Sequence, residues 1–217
     1  MALSETSLCN MSLGRIGANR INSFDDTSDE IEEAIQCRLH YVQTRDALQR
    51  SHAWVFNGTR VILSQDTTGP VFEFDNQFIV PSDYLRARTV YDESAGPNTL
   101  SVYSAAIEAN ADGELRWLTN QAAVNLRYSQ RITDPGKFDP LFAEVLILKL
   151  ARKLVMPLSG AQPKLLDGID RELIPLERKT RALDRNERNR SRRNSFNLWE
   201  DARFNYTMSL SNRVSNV

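Results

Sequence analysis

The repeat of apolar residues changes period twice along the chain, and this limits the folds open to it more than any other feature. Residues 28–56 repeat at about 100° per residue, residues 60–132 alternate, and residues 138–183 return to the helical period. Two helical blocks around a strand block imply an α+β fold: a helical bundle core with an inserted antiparallel β region. We expect a helical hairpin over 1–58, the β insertion over 59–133, long helices completing the core over 134–190, and an extended C-terminal arm over 191–217.

In the first block, Ile31, Ala34, Ile35, Tyr41, Val42 and Leu48 project onto one arc, with Ser28 placed to cap the helix and Glu32 and Glu33 opposing the positive end of its dipole. The same projection puts Arg38 and Arg45 inside the arc. A buried arginine needs a carboxylate, either from its own chain, with Asp46 the nearest, or from a neighbouring subunit. The helix should leave through Trp54 and Phe56, with Asn57 and Gly58 supplying a left-handed exit. Upstream, residues 4–16 read as a short packing helix that Gly14 weakens and Gly17 stops.

Strands are expected over 61–63, 71–74, 78–80, 86–91, 100–103, 115–118 and 124–128. The Asp112-Gly113 dipeptide suits a type I′ hairpin. Residues 138–155 are apolar around most of a helix, interrupted chiefly by Glu144, Lys149, Arg152 and Lys153, and belong at the centre of the bundle. A turn over 157–160 leads to a further helix with Pro175 inside it.

A formal charge of −1 over 217 residues conceals a basic segment made of Arg178, Lys179, Arg181, Arg185, Arg188, Arg190, Arg192 and Arg193, against Asp184 and Glu187. Three readings are open for it: phosphate binding, a solvated helix end favoured by the dipole, or docking on an acidic protein surface. Beyond it, Phe196, Trp199, Phe204, Tyr206, Met208 and Leu210 stand among Ser, Asn and Arg, apolar anchors without a core of their own.

Little points to catalysis. His40 and His52 are the only histidines and read as structural, and no phosphate-binding glycine loop follows a strand. Cys9 and Cys37 read as small buried side chains. No apolar run reaches membrane-spanning length and residues 1–6 lack the pattern of a secretory leader, so a soluble protein made in the cytosol is expected, with no catalytic, metal or cofactor site.

Several separated stretches carry a likeness to a known family. They are residues 4–17 with Leu8, Cys9, Asn10, Ile16 and Gly17; the series Cys37, Tyr41, Arg45, Asp46, Leu48, Arg50, Ser51, His52, Trp54, Phe56, Arg60 and Leu63; the run 81–86; and Phe138 to Phe142 with Leu150, Ala151, Met156, Pro157 and Leu158. In order and spacing the chain resembles the head-to-tail adaptor proteins of short-tailed bacteriophages, the tail tubular protein A type. Ala53 and Val55 depart from that pattern, which often has proline and asparagine on either side of the tryptophan.

The resemblance implies a structural virion protein forming a ring, a dodecamer by that likeness, at the head-tail junction. Its partners would be the portal protein, the tail nozzle of the tail tubular protein B type, and genomic DNA passing through the channel without sequence-specific binding. It implies assembly in the bacterial cytoplasm, no membrane and no reaction. The alternative reading is a nucleic-acid-binding module using residues 178–193, which a steep salt dependence would reveal.

Overall fold

The computed structural model describes residues 3–25, 31–91, 105–110, 112–160 and 162–193, with side chains to residue 188. Its order is α1 (Glu5–Ile16), α2 (Glu32–Ser51), β1 (Gly58–Ile62), β2 (Asn76–Ile79), β3 (Tyr84–Tyr91), β4 (Ala105–Ala109), β5 (Leu115–Thr119), β6 (Asn125–Gln130), a 3-10 turn (Pro135–Lys137), α3 (Pro140–Ser159) and α4 (Pro163–Arg193). The fold is α+β.

Helix α1 starts where Ser4 and Ser7 cap each other reciprocally and stops at Gly17, whose left-handed backbone (φ 71°) lets its N–H reach Leu13 O. Asp139 caps α3 by accepting from the backbone N–H groups of Leu141 and Phe142, with Pro140 at the first helical position. Helix α3 is the axis of the bundle. Its Phe142, Val145, Leu146, Leu150 and Leu154 are buried, and α1, α2 and α4 each pack against it. One apolar core therefore joins residues from before and after the β region, from Leu8 and Tyr41 to Ile169 and Leu173. Cys9 and Cys37 lie in it as buried thiols, the Cys9 thiol pushed up by its hydrogen bond to Cys37 and by burial.

The β region forms two three-stranded antiparallel sheets, ordered β1-β6-β3 and β2-β5-β4. They share a second, smaller core in which Leu126 and Tyr128 of the first sheet meet Phe78 and Trp117 of the second. The segment leaving β6 is tied to α2 by Gln49, fully buried, whose amide accepts from Ile132 N–H (2.9 Å) and donates to Ile132 O (2.8 Å), as a β-strand neighbour would.

Several expectations need correction. The buried arc of α2 runs through Ala34, Cys37, Tyr41, Thr44, Arg45, Leu48 and Gln49, leaving Ile31, Ile35 and Val42 exposed. Hydropathy rotated the arc the wrong way because Thr44, Arg45 and Gln49 are polar yet have specific buried partners. Ile31 occupies the N-cap position and makes no side-chain cap bond, while Ser28 lies outside the described residues. The helix leaves through extended His52 rather than a left-handed Asn57-Gly58 pair.

Residues 71–74 form no strand. The edge of β2 is taken by residues 64–66, through Ile79 N–H to Ser64 O and Asp66 N–H to Gln77 O, so the next residues are left to loop. Strand β4 was not anticipated, its alanines carrying little strand signal, and residues 100–103 lie outside the described residues.

The β4–β5 turn is not type I′. Its ends pair Asn110 with Glu114, and Gly113 (φ 80°) supplies the positive φ, as in a three-residue hairpin loop. Pro157 belongs to the last turn of α3, where the inward packing of Leu158 offsets one missing hydrogen bond. Finally, α4 runs through Arg193, past the expected start of the arm, because arginine both favours helix and suits its C-terminal end.

Candidate functional site

The residues singled out on α2 all serve contacts within the chain. Arg45 is 4% exposed. Its Nε donates to Asp46 Oδ1 at 2.8 Å, its Nη1 lies 3.6 Å from Glu5 Oε1 on α1, and its guanidinium stands 5.7 Å from the centre of the Tyr41 ring. Asp46 also holds Arg131, at 3.0 Å, just beyond β6. The chain Glu5–Arg45–Asp46–Arg131 thus ties α1, α2 and the end of the β region together, and burial raises the Glu5 carboxyl despite the pull of Arg45. Arg38 is half-buried and also engaged.

A second constellation forms where α2 ends, the first sheet begins and α4 passes by. His52 Nε2 pairs with Asp184 Oδ2 at 2.9 Å, and Asp184 Oδ1 accepts Val55 N–H at 2.7 Å. Arg188 donates to Ala53 O (3.1 Å) and Arg181 to Ser51 Oγ (3.1 Å) and Glu177 Oε1 (2.5 Å). Ser51, His52, Ala53 and Val55 at the α2 exit are therefore gripped by α4, and Trp54 between them lies edge-on to His52 with ring centres 4.8 Å apart.

On the sheet side, Arg88 donates to Trp54 O, Asn57 Oδ1 and Ser129 Oγ. Its guanidinium lies over Gly58, where a Cβ would come within 2.5 Å of Nη1, so position 58 admits only glycine without displacing Arg88. Burial, with Arg127 and Arg188 nearby, pushes the Arg88 guanidinium down to about 10.

Burial lowers the His52 pKa below its ordinary 6.5, overcoming the pull of the Asp184 carboxylate that accepts its hydrogen bond, with Arg181 and Arg188 acting in the same direction as burial. The unfolded chain then binds this proton more tightly than the folded one. Stability should be full above about pH 6.5 and fall as pH drops below it, by at most about 1.4 kcal/mol per unit for one proton. Urea unfolding from about pH 7 to about pH 5.5 should show a smaller loss in His52→Gln than in the native chain. Equal losses would reject the assignment.

A hydroxyl, an imidazole and a carboxylate meet here, but not as a catalytic relay. Ser51 Oγ donates to Leu48 O at 2.8 Å and accepts from Arg181, and its hydroxyl is not directed at His52. Among the described residues no group of three or more His, Cys, Asp or Glu could hold a metal ion, and no helix is long and apolar enough to cross a membrane. The chemistry of the junction is that of a joint, in which polar groups fix the angle between elements.

Of the basic segment, Arg181 and Arg188 are spent on this joint, whereas Arg178, Lys179 and Arg185 are exposed. Arg190, Arg192 and Arg193 continue α4, with side chains outside the described residues. The arm anchors Phe196, Trp199, Phe204, Tyr206, Met208 and Leu210 also lie outside them. Sequence reasoning passed over Arg88 and Gln49, named Asn57 only as part of a helix exit, and named Asp184 only as one of two carboxylates in a run of arginines. In comparison with known proteins, the chain matches no family model and no curated sequence.

Proposed function

We propose that this chain is the subunit of a ring-shaped head-to-tail adaptor of a short-tailed phage, seated between the portal and the tail nozzle and extending the DNA channel. The motif residues that carry the resemblance support it by where they lie. Arg45, Asp46, Leu48, Ser51, His52, Trp54 and Phe56 form the joint between bundle, sheet and α4. A motif that sets angles between elements suits a protein whose task is to hold partners in register.

The observation that carries the reading is the reach of α4. The pairs Arg152–Asp170 and Lys149–Glu177 fix α4 antiparallel to α3. At that register the start of α3 comes level with the stretch just before Arg188, so the last turn and a half of α4 projects past the bundle. At 31 residues α4 is about 46 Å long, against about 30 Å for α3 with 20. The projection ends where residues 194–217 begin, and in this reading their apolar anchors serve a partner.

Docking of an extended, alternating segment in a groove or on a sheet edge supplies main-chain hydrogen bonds and side-chain fit together. Where ordering a segment on binding costs entropy, one copy binds weakly while a ring of copies holds firmly. Removing residues 194–217 should leave the circular dichroism spectrum and melting transition of the core intact and abolish stable attachment to the cognate portal protein. Pull-down with that portal and counting of tailed particles test this, and normal tailing by the truncated chain would overturn the arm's role.

A further inference from the structure

The most exposed large apolar side chains described are adjacent, Val71 at 94% and Phe72 at 78%. They are held out by design of the backbone. Phe74 N–H donates to Phe72 O at 2.9 Å around Glu73, which takes φ +73° without being glycine. This is a γ-turn of the rare positive-φ kind, a strained arrangement that persists where it serves a contact. Single exposed apolar residues are ordinary, but an aromatic and a valine presented side by side on a strained tip form a binding finger.

The charge around the finger is negative. Glu73, Glu108 and Asp112 line a hollow with Val71 and Phe72, and the cation among its lining residues, Arg116, is already held by Asp66 (2.7 Å) and Glu114 (2.8 Å). The complementary feature lies on the other sheet of the same chain. On the face of the first sheet turned away from its core, Arg60 stands directly opposite Arg127, a like-charge pair that destabilises a ladder. Neither makes an ion pair with a carboxylate among the described residues.

Beside the two arginines is a hollow of about 310 Å³ whose apolar side chains on that face are Ile62 and Tyr91, and one of its lining residues, Asn125, has an Oδ1 buried without a partner. A cavity of about 150 Å³ is enough for a benzene ring.

We infer that the Val71-Phe72 finger of one subunit seats in the Arg60–Arg127 hollow of a second copy, with Phe72 against Ile62 and Tyr91 and Glu73 between the arginines. The inference rests on the ring reading and names its contact. Finger and hollow are different surfaces of one chain, so the contact is head-to-tail. Such contacts close into rings when the rotation between subunits allows and otherwise grow as filaments.

The test pairs Phe72→Cys with Ile62→Cys. Each variant alone, like the parent with its buried Cys9 and Cys37, should give no covalent dimer, whereas a mixture oxidised after assembly should, and the double variant should give a ladder. Phe72→Asp should keep the native melting transition, its side chain being in solvent, and raise the concentration for half-assembly roughly thirtyfold or more, as loss of an aromatic anchor does. Glu73→Lys should weaken assembly and Arg60→Glu should restore it in the combined variant, which a merely structural role would not.

If native subunits assemble, alone or on the portal, but Phe72→Asp assembles equally well and no mixed crosslink forms, the inference falls and the ring reading stands. If native mass spectrometry finds only monomers under both conditions, both fall. If Phe72→Asp still self-associates but loses the portal, the finger serves another partner and the inference is overturned.

Discussion

Trp54→Ala should destabilise the protein by about 4 kcal/mol, the largest effect expected of any single substitution at the joint. The side chain is 1% exposed and sits in an aromatic cluster, edge-on to Phe142 (5.2 Å between ring centres) and tilted against Phe56 (6.4 Å), with Phe138 in the same group. Its loss removes the burial of a large ring and leaves a cavity that residues from three segments cannot fill together.

Its Nε1–H also donates to Leu48 O at 2.9 Å, a carbonyl in the last turn of α2 that accepts from Ser51 Oγ as well. The denaturant midpoint by circular dichroism should therefore fall steeply. Trp54→Phe, which keeps much of the ring volume but not the N–H, should lose distinctly less. Equal losses in the two variants would assign the effect to the hydrogen bond, and a midpoint unchanged in Trp54→Ala would contradict the packing argument altogether.

The second large effect is at Arg45, where methionine keeps the apolar stem and removes the charge. Arg45→Met should cost about 3 kcal/mol, less from the lost pair than from leaving Asp46 and Glu5, both mostly buried, with less compensation. Arg131 still holds Asp46, so Glu5 is the more exposed to the loss. Two comparisons separate the causes. Adding Glu5→Gln to Arg45→Met should recover part of the stability, because a neutral amide tolerates the site better than an unpaired carboxylate. If the double variant is less stable than Arg45→Met by the full cost of Glu5→Gln alone, the two side chains are not coupled.

Both positions show how far the chain could be read before its fold was known. Trp54 and Phe56 were legible as the apolar exit of a helix, and the period of residues 138–155 was legible as a central one, because such signals are local and follow from the geometry of a single helix. Arg45 was legible as a problem, a charge on a buried arc, and Asp46 as the nearest candidate partner, but Glu5, distant in sequence, was not.

Gln49 was illegible for the same reason in a stronger form. A buried glutamine is indistinguishable from a solvated one until its backbone partner, Ile132, is brought beside it. That is also why the α2 arc was set on Ile35 and Val42, which are apolar and exposed. The β region misled at residues 71–74, whose residue types suit a strand, because which segment pairs with β2 depends on competition among loops and not on propensity.

By itself, then, the sequence determined the class of fold, the extent of α1, the central place of α3, and the division into helical and strand blocks, since caps, turns and periodicity act over a few residues. Only the tertiary structure decided which polar groups are buried, that α4 is gripped through Asp184 and Arg188 at the α2 exit, and that Val71 and Phe72 are presented on a strained tip. These depend on pairings across the chain, such as His52 with Asp184, whose free energy exists only when both groups leave water together.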